Sequence, residues 1–346
     1  MRFLPPVVRK PRVELRETGF VPEKVGAAEV CLWKGDAIGA ATFTVDDNSG
    51  TDVPWWIETA AKYHARITWF VIPNIVDDRN PLHGTWAGYQ SALDAGHDIQ
   101  SHSFTHLADE SLTIDEEYGR AVESIERHLP GHRVVAVGFP GARSSRKNTW
   151  AASGRHHIGG RGTTGVPNDP VRINYQCSNS FHGDFTLDAQ SFVGLSNLVV
   201  RNTRFPLSYR AWNCHHLHGV PQEERRAQIE RAMAFYAEHG VWMPGFVDVL
   251  KYGQERDSAA VETVECRADR IVLRLTDHMD DSLFDAPLTL RLRVPDGWTA
   301  AAVRQGERKE TVAVDKRDGK ASVLFDAVPD RGDIVVADCT TMDKNE

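Results

Sequence analysis

The sequence predicts an α/β fold, with parallel strands joined by crossover helices as an open sheet or a barrel, followed by a small all-β, sandwich-like module. Two observations carry this. From Ile38 to about Glu255, apolar runs of strand length alternate with segments of helical periodicity. Beyond about Arg256 the apolar period becomes two, the spacing of strands with one buried face. The chain divides accordingly into an N-terminal arm over residues 1–36, an α/β domain over 37–256 and a β module over 257–341.

Residues 1–36 are rich in proline and charge with little periodicity, which suits an arm or short edge elements. The small and apolar run 38–45 reads as a buried strand and delivers Asp46, Asp47 and Asn48 at its C-terminal end. Thr51 and Asp52 can cap a helix with Pro54 in its first turn and 55–65 as its body. A second strand follows at 67–72, then a helix over 86–95 stopped by Gly96, and a short strand at 97–100. Next come His102 and His106, four residues apart, a spacing that lets one helical turn present both to a single metal ion. An isolated pair of this kind is more often structural, so the metal reading needs a third ligand.

Thr113 and Glu116 form a capping box, and Tyr118, Val122, Ile125 and Leu129 share the apolar face of the helix that follows. A strand at 133–137 runs into Gly138-Phe139-Pro140-Gly141. Residues 144–210, rich in Gly, Asn, Ser and Arg, show no clear strand pattern. Order returns at 212–219 with Trp212, Cys214, His215, His216 and His218, followed by a helix over 221–239, a strand at 241–243 and a helix over 246–255. In the β module Ile271, Leu273 and Leu275 alternate with polar residues, as do Leu288, Leu290, Leu292 and Val294, and an Asp318-Gly319 turn separates two further runs.

Composition removes several function classes. The net charge is −8 and no Lys/Arg cluster offers the cationic surface that nucleic acid requires. No run of eighteen apolar residues spans a bilayer, and the first residues lack the apolar core of a signal peptide, so the chain as given reads as cytoplasmic, or as exported if a leader precedes it. Five widely spaced cysteines without C-x-x-C spacing argue for reduced thiols rather than a disulfide framework or thiolate zinc site.

The chemistry gathers at strand ends. Asp46-Asp47 and the His102/His106 pair each follow a predicted parallel strand, and the carboxyl ends of such strands converge on one mouth. One carboxylate plus two imidazoles gives three protein ligands with positions open for water and substrate, as in hydrolytic metal sites. The other carboxylate is then free to act as a base.

These residues resemble the motifs of the polysaccharide deacetylases with NodB homology, carbohydrate esterase family four. The family's Thr-Phe-Asp-Asp-Gly is matched by Thr44-Val45-Asp46-Asp47-Asn48, its His-Ser/Thr-x-x-His by His102-Ser103-Phe104-Thr105-His106, and its late Leu-x-His-type motif by Leu217-His218. The resemblance spans roughly residues 40–256 and leaves the β module outside. It implies a distorted (β/α) barrel of about seven strands. It also implies Asp46 as general base, Asp47, His102 and His106 as ligands of one divalent ion, and His218 as general acid. Zinc is the first choice of ion, and the ligand set also admits cobalt, nickel, manganese or iron. A backbone N–H near Pro140-Gly141 would meet the oxyanion, and Trp212, near the acid, would line the pocket for an acetylated carbohydrate.

Two motifs depart from the family. The arginine expected two residues before Pro140 is Gly138, with Arg143 as a possible substitute from the other side, and the fourth motif cannot be located within 165–210, Asp184 being a candidate. The expected function is therefore metal-dependent removal of N- or O-linked acetyl groups from a carbohydrate. The rival readings are a cyclic amide or ureide hydrolase on the same site, imidase- or allantoinase-like, and a catalytically weak carbohydrate-binding protein. The β module is expected to pack against the barrel or to join copies of the chain into a homo-oligomer.

Overall fold

The computed structural model describes residues 13–107, 113–142, 147–186, 210–220 and 222–339. They fall into two units, the described residues of Ile38–Leu250 and those of Pro6–Ala37 with Lys251–Glu346.

The first unit is built on seven strands, β1 (Ala40–Val45), β2 (Ile67–Val71), β3 (Asp98–Ser101), β4 (Ala136–Gly138), β5 (Gly159–Arg161), β6 (Phe181–His182) and β7 (Trp212–Leu217). All their pairings are parallel, in the order β5-β4-β3-β2-β1-β7-β6, and the sheet curls into a partial barrel. Its helices are α1 (Val53–Lys62), α2 (Trp86–Asp94), α3 (Ile114–His128), α4 (Lys147–His156), the short α5 (Gly183–Thr186), α6 (Glu223–Glu238) and α7 (Phe246–Ser258), within which the division between units falls. Every residue of β1, β2 and β3 is buried. That is the condition of a parallel sheet covered on both faces, and it explains why β1 and β2 read as unbroken apolar runs. Phe43, Trp56, Trp69, Val71, Ile99, Ile125 and Met233 belong to one core cluster.

Register brings the strand ends level. Val45 lies opposite both Trp69 and Leu217, Val71 opposite Ser101, Gly138 opposite Arg161 and His182 opposite His216. The residues that follow these pairs, Asp46, His102 and His218 among them, therefore emerge at one mouth. Two expectations change. Residues 241–243 form no strand but a single parallel bridge between Trp242 and Ala40. His102–His106 is a loop rather than a helical turn, because Ser103 (φ 60°) and His106 (φ 62°) hold left-handed backbone angles that a right-handed helix excludes.

The second unit holds two antiparallel sheets. Four strands run in the order Ala28–Val30, Leu288–Arg293, Lys320–Ala327, Asp315–Arg317, and five in the order Arg308–Ala313, Ala300–Gln305, Ile334–Asp338, Arg270–Thr276, Ala260–Cys266. Asp318 (φ 50°) and Gly319 (φ 76°) make the two-residue turn between Arg317 and Lys320, both in the left-handed region that such hairpins require. Residues 28–30, inside the stretch read as an arm or short edge elements, pair with the strand around Leu290 and form an edge strand of this sheet. Among the described residues no helix is long and apolar enough to cross a membrane. Among the described residues none of the five cysteines forms a disulfide.

Candidate active site

The turn after β1 is held by its third residue. Asp47 (φ 57°) and Asn48 (φ 53°) are both left-handed. The buried Asn48 side chain donates from Nδ2 to the Ile72 carbonyl (2.9 Å) and accepts at Oδ1 from the Ile72 N–H (2.6 Å), tying the turn to the end of β2. A residue that replaces the family's glycine thus supplies two bonds that glycine cannot.

Asp47 Oδ1 lies 3.3 Å from Nε2 of both His102 and His106. Two ligand atoms about 2.0–2.1 Å from a tetrahedral zinc ion stand about 3.3 Å apart, so these spacings already match the edges of such a site. Buried Asp47 Oδ1 has no hydrogen-bond partner among the described residues, a costly state that a cation relieves. His102 Nδ1 lies 2.7 Å from the Gly138 carbonyl oxygen. A carbonyl can only accept, so Nδ1 carries the proton and Nε2 keeps the lone pair a metal needs. Burial raises the Asp47 pKa, but the His102 and His106 rings beside it outweigh burial and hold the carboxyl well below the usual range. The donor set fits a divalent ion.

Asp46 is bound by an arginine that sequence reading missed. Arg161, the last residue of β5, donates from Nη2 to both Asp46 oxygens, and side chains of both are almost fully buried. Burial raises Asp46, yet Arg161 first, then His102, His216 and His218, bring its pKa below the ordinary value, so it stands ionised. Gly138, where the resemblance placed an arginine, lies directly against Arg161. A Cβ on Gly138 would come within 2.8 Å of Arg161 Nη2 and of the Phe70 ring, so any side chain at 138 competes with Arg161 for the same space. Arg143, the substitute considered from the sequence, lies outside the described residues.

His218 follows β7 and reaches Asp47 Oδ2 at 3.4 Å through Nε2. Its Nδ1 donates to Asp184 Oδ2 at 2.7 Å, while Arg225 donates to Asp184 Oδ1 at 3.0 Å. The hydrogen bond to Asp184 raises the His218 pKa and favours the protonated ring. Asp184, a candidate from the sequence, is thus the hydrogen-bond partner that orients the His218 ring. The two neighbouring histidines do other work. His215 is fully buried against the Tyr236 hydroxyl and the Phe43 ring, and burial lowers it to about 3. His216 lies 2.7 Å from Ser180 Oγ and forms part of the cavity wall.

The cavity, about 410 Å³, is lined by Asp46, Asp47, His102, His106, Arg161 and His218, with Phe139, Gly141, Thr163, His182 and His216. Gly141 (φ 59°) lines the cavity, whereas Pro140 is absent from the lining. Trp212 corrects a sequence reading. It is 0% exposed, donates from Nε1 to Thr42 Oγ1 and packs on Phe246. It starts the strand that His218 follows, and at ~3.3 Å per residue this places it roughly 20 Å below the mouth, out of reach of a sugar.

The profile of the family described as polysaccharide deacetylase matches residues 36–160. A protein from a Bacillus species named gellan lyase is 29% identical over 365 residues, an overlap of 97% of this chain but 14% of that protein's length. Among solved structures, the Xyl-CE4 domain of a multidomain xylanase from the hindgut metagenome of Trinervitermes trinervoides is similar at 14% identity and a TM-score of 0.43, over 61% of this chain and 89% of that one. A family 4 carbohydrate esterase from Streptomyces lividans gives 15% and 0.40, over 60% and 92% respectively. A family 4 pseudoenzyme from Bacillus anthracis gives 15% and 0.39, over 61% and 65%.

Proposed function

We propose, for a chain that carries a polysaccharide deacetylase domain, that it is a metal-dependent hydrolase releasing acetate from an acetylated carbohydrate, with Asp46 as base and His218 as acid. One observation carries the reading: an ionised, arginine-held carboxylate and an aspartate-held imidazole flank the Asp47–His102–His106 set inside one cavity. A divalent cation bound there supplies Lewis-acid polarisation of the acetyl carbonyl and brings the pKa of water from 15.7 towards about 7.

The chain's own groups then divide the proton transfers. Asp46 accepts the proton of the attacking water, and Arg161 keeps the carboxylate ionised until that moment. The Gly141 backbone N–H is the donor for the oxygen that gains charge. His218, protonated and oriented by Asp184, gives its proton to the leaving amine or alkoxide, so acetate and a free amino or hydroxyl group leave the site.

A relative named for a lyase of gellan favours a polysaccharide over a small cyclic amide as substrate. Arg161 beside Asp46 also supports the deacetylase reading, since it supplies an arginine on the proposed base that was not located two residues before Pro140. The test is acetate release from a panel of N- and O-acetylated oligosaccharides alongside a cyclic imide. Asp46→Asn and His218→Ala are expected to lose at least a hundredfold in kcat while still binding the ion. Full turnover by either variant removes the roles assigned here.

A further inference from the structure

We propose that His182, Asp184 and His218 form a second, weaker divalent-cation site whose occupation inhibits the hydrolase by taking up its proton donor. The inhibitory consequence rests on the role given to His218 above, but the site itself does not.

The three residues come from neighbouring elements. His182 ends β6, Asp184 lies in α5, and His218 follows β7, with His182 in register opposite His216. Asp184 Oδ2 is 3.4 Å from His182 Nδ1 and 2.7 Å from His218 Nδ1, and the three candidate ligand atoms all lie within 4.8 Å of one another. The first distance is already close to the ~3.3 Å edge of a tetrahedral zinc site, and the second needs to open by roughly 0.6 Å. Two imidazoles and one carboxylate repeat the donor set at Asp47, so an ion accepted there is chemically acceptable here.

Access and affinity follow from the surroundings. The His182 and His218 side chains are 41% and 39% exposed, and both line the cavity, so an ion arriving by the substrate's route meets them. Arg225 occupies the other Asp184 oxygen at 3.0 Å, leaving Oδ2 for the ion while placing a positive charge nearby. The second ion therefore binds more weakly than the first. It also displaces the proton that His218 Nδ1 shares with Asp184, which ends the orientation of the acid.

The experiment titrates Zn²⁺ into the chelator-stripped full chain by calorimetry, with Co²⁺ absorption as a second reading of ligand geometry. Two binding steps are expected. His182→Ala and, as a second substitution, His182→Gln should weaken the later step at least tenfold and leave the earlier one in place. Asp47→Asn should remove the earlier step and leave the later. In acetate-release assays, excess Zn²⁺ should inhibit the wild type, and the His182 variants should need at least tenfold more. A single step in the wild type, or a later step unchanged in both folded His182 variants, overturns the site. If no acetylated sugar is turned over, the hydrolase reading fails while the two binding steps still decide the site.

Discussion

Arg161→Met removes the guanidinium that holds Asp46 and leaves a carboxylate buried in the core of the mouth. Side-chain exposure is 1% for Arg161 and 5% for Asp46, so the little water that reaches the carboxylate from the cavity replaces the lost partner only in part. Removing one member of such a pair typically costs about 3–5 kcal/mol, which sets the expected loss of stability at pH 7. Protonation of Asp46 relieves part of it. In the wild type the depressed Asp46 pKa adds stability above the unfolded value near 3.8, lost as pH falls through the folded value. In the variant burial acts unopposed by Arg161, the folded pKa rises, and stability instead falls as pH climbs through it. The stability difference between the two proteins should therefore be small near pH 4 and large at pH 7. Denaturant unfolding at both values measures it, and the acid limb of kcat/KM should move up by at least one pH unit. Arg161→Met combined with Asp46→Asn should recover most of the stability and none of the activity. A loss below about 1 kcal/mol at pH 7, together with an unmoved acid limb, would refute the argument.

The shared space at Gly138 predicts that Gly138→Arg alone disrupts the mouth, whereas Gly138→Arg with Arg161→Gly regains part of the activity lost by Arg161→Gly; equal activity of the double and Arg161→Gly variants would contradict this. Asn48→Gly gives up two hydrogen bonds worth about 2 kcal/mol and relieves about 1 kcal/mol of left-handed backbone strain, for a net loss near 1 kcal/mol and weaker ion binding, read from a denaturant midpoint and chelator competition. In the second unit, burial pushes Glu255 up to about 8 although it accepts from the Ala286 N–H. Its folded pKa lies above the unfolded one, so its contribution is present below pH 4.5 and is lost as pH rises towards 8. Glu255→Gln should flatten that slope, gaining about 2–4 kcal/mol at pH 8 relative to pH 5; an unchanged slope counts against the assignment.

What the sequence made legible was local. The apolar runs of β1 and β2, the glycine stops and the alternation after Arg256 need no long-range knowledge, and the resemblance of Asp46-Asp47 and His102/His106 to known motifs led directly to the cavity. Arg161 was hidden because it meets Asp46 across 115 residues, from a strand whose Gly-Gly-Arg sequence has no apolar pattern. The strand Ala28–Val30 is one of the short edge elements expected before residue 37, but its three residues show no period and its partner lies near Leu290, so its place was not legible. Positive φ at Ser103 and His106 turned an expected helical pair into a loop pair, since i,i+4 spacing carries no information on backbone hand. Trp212 misled because closeness along a strand was taken for closeness in space, although six residues of extended chain separate it from His218.

The central claim is that one divalent ion, held by Asp47, His102 and His106, is required for hydrolysis. The most direct measurement follows acetate release and bound metal together in chelator-stripped protein as Zn²⁺ is returned, for the wild type and His106→Ala. Turnover should vanish on stripping and return as the tighter of the binding steps fills, with His106→Ala recovering neither turnover nor that step. Undiminished acetate release from the stripped wild type, or equal tight binding by His106→Ala, would contradict the account.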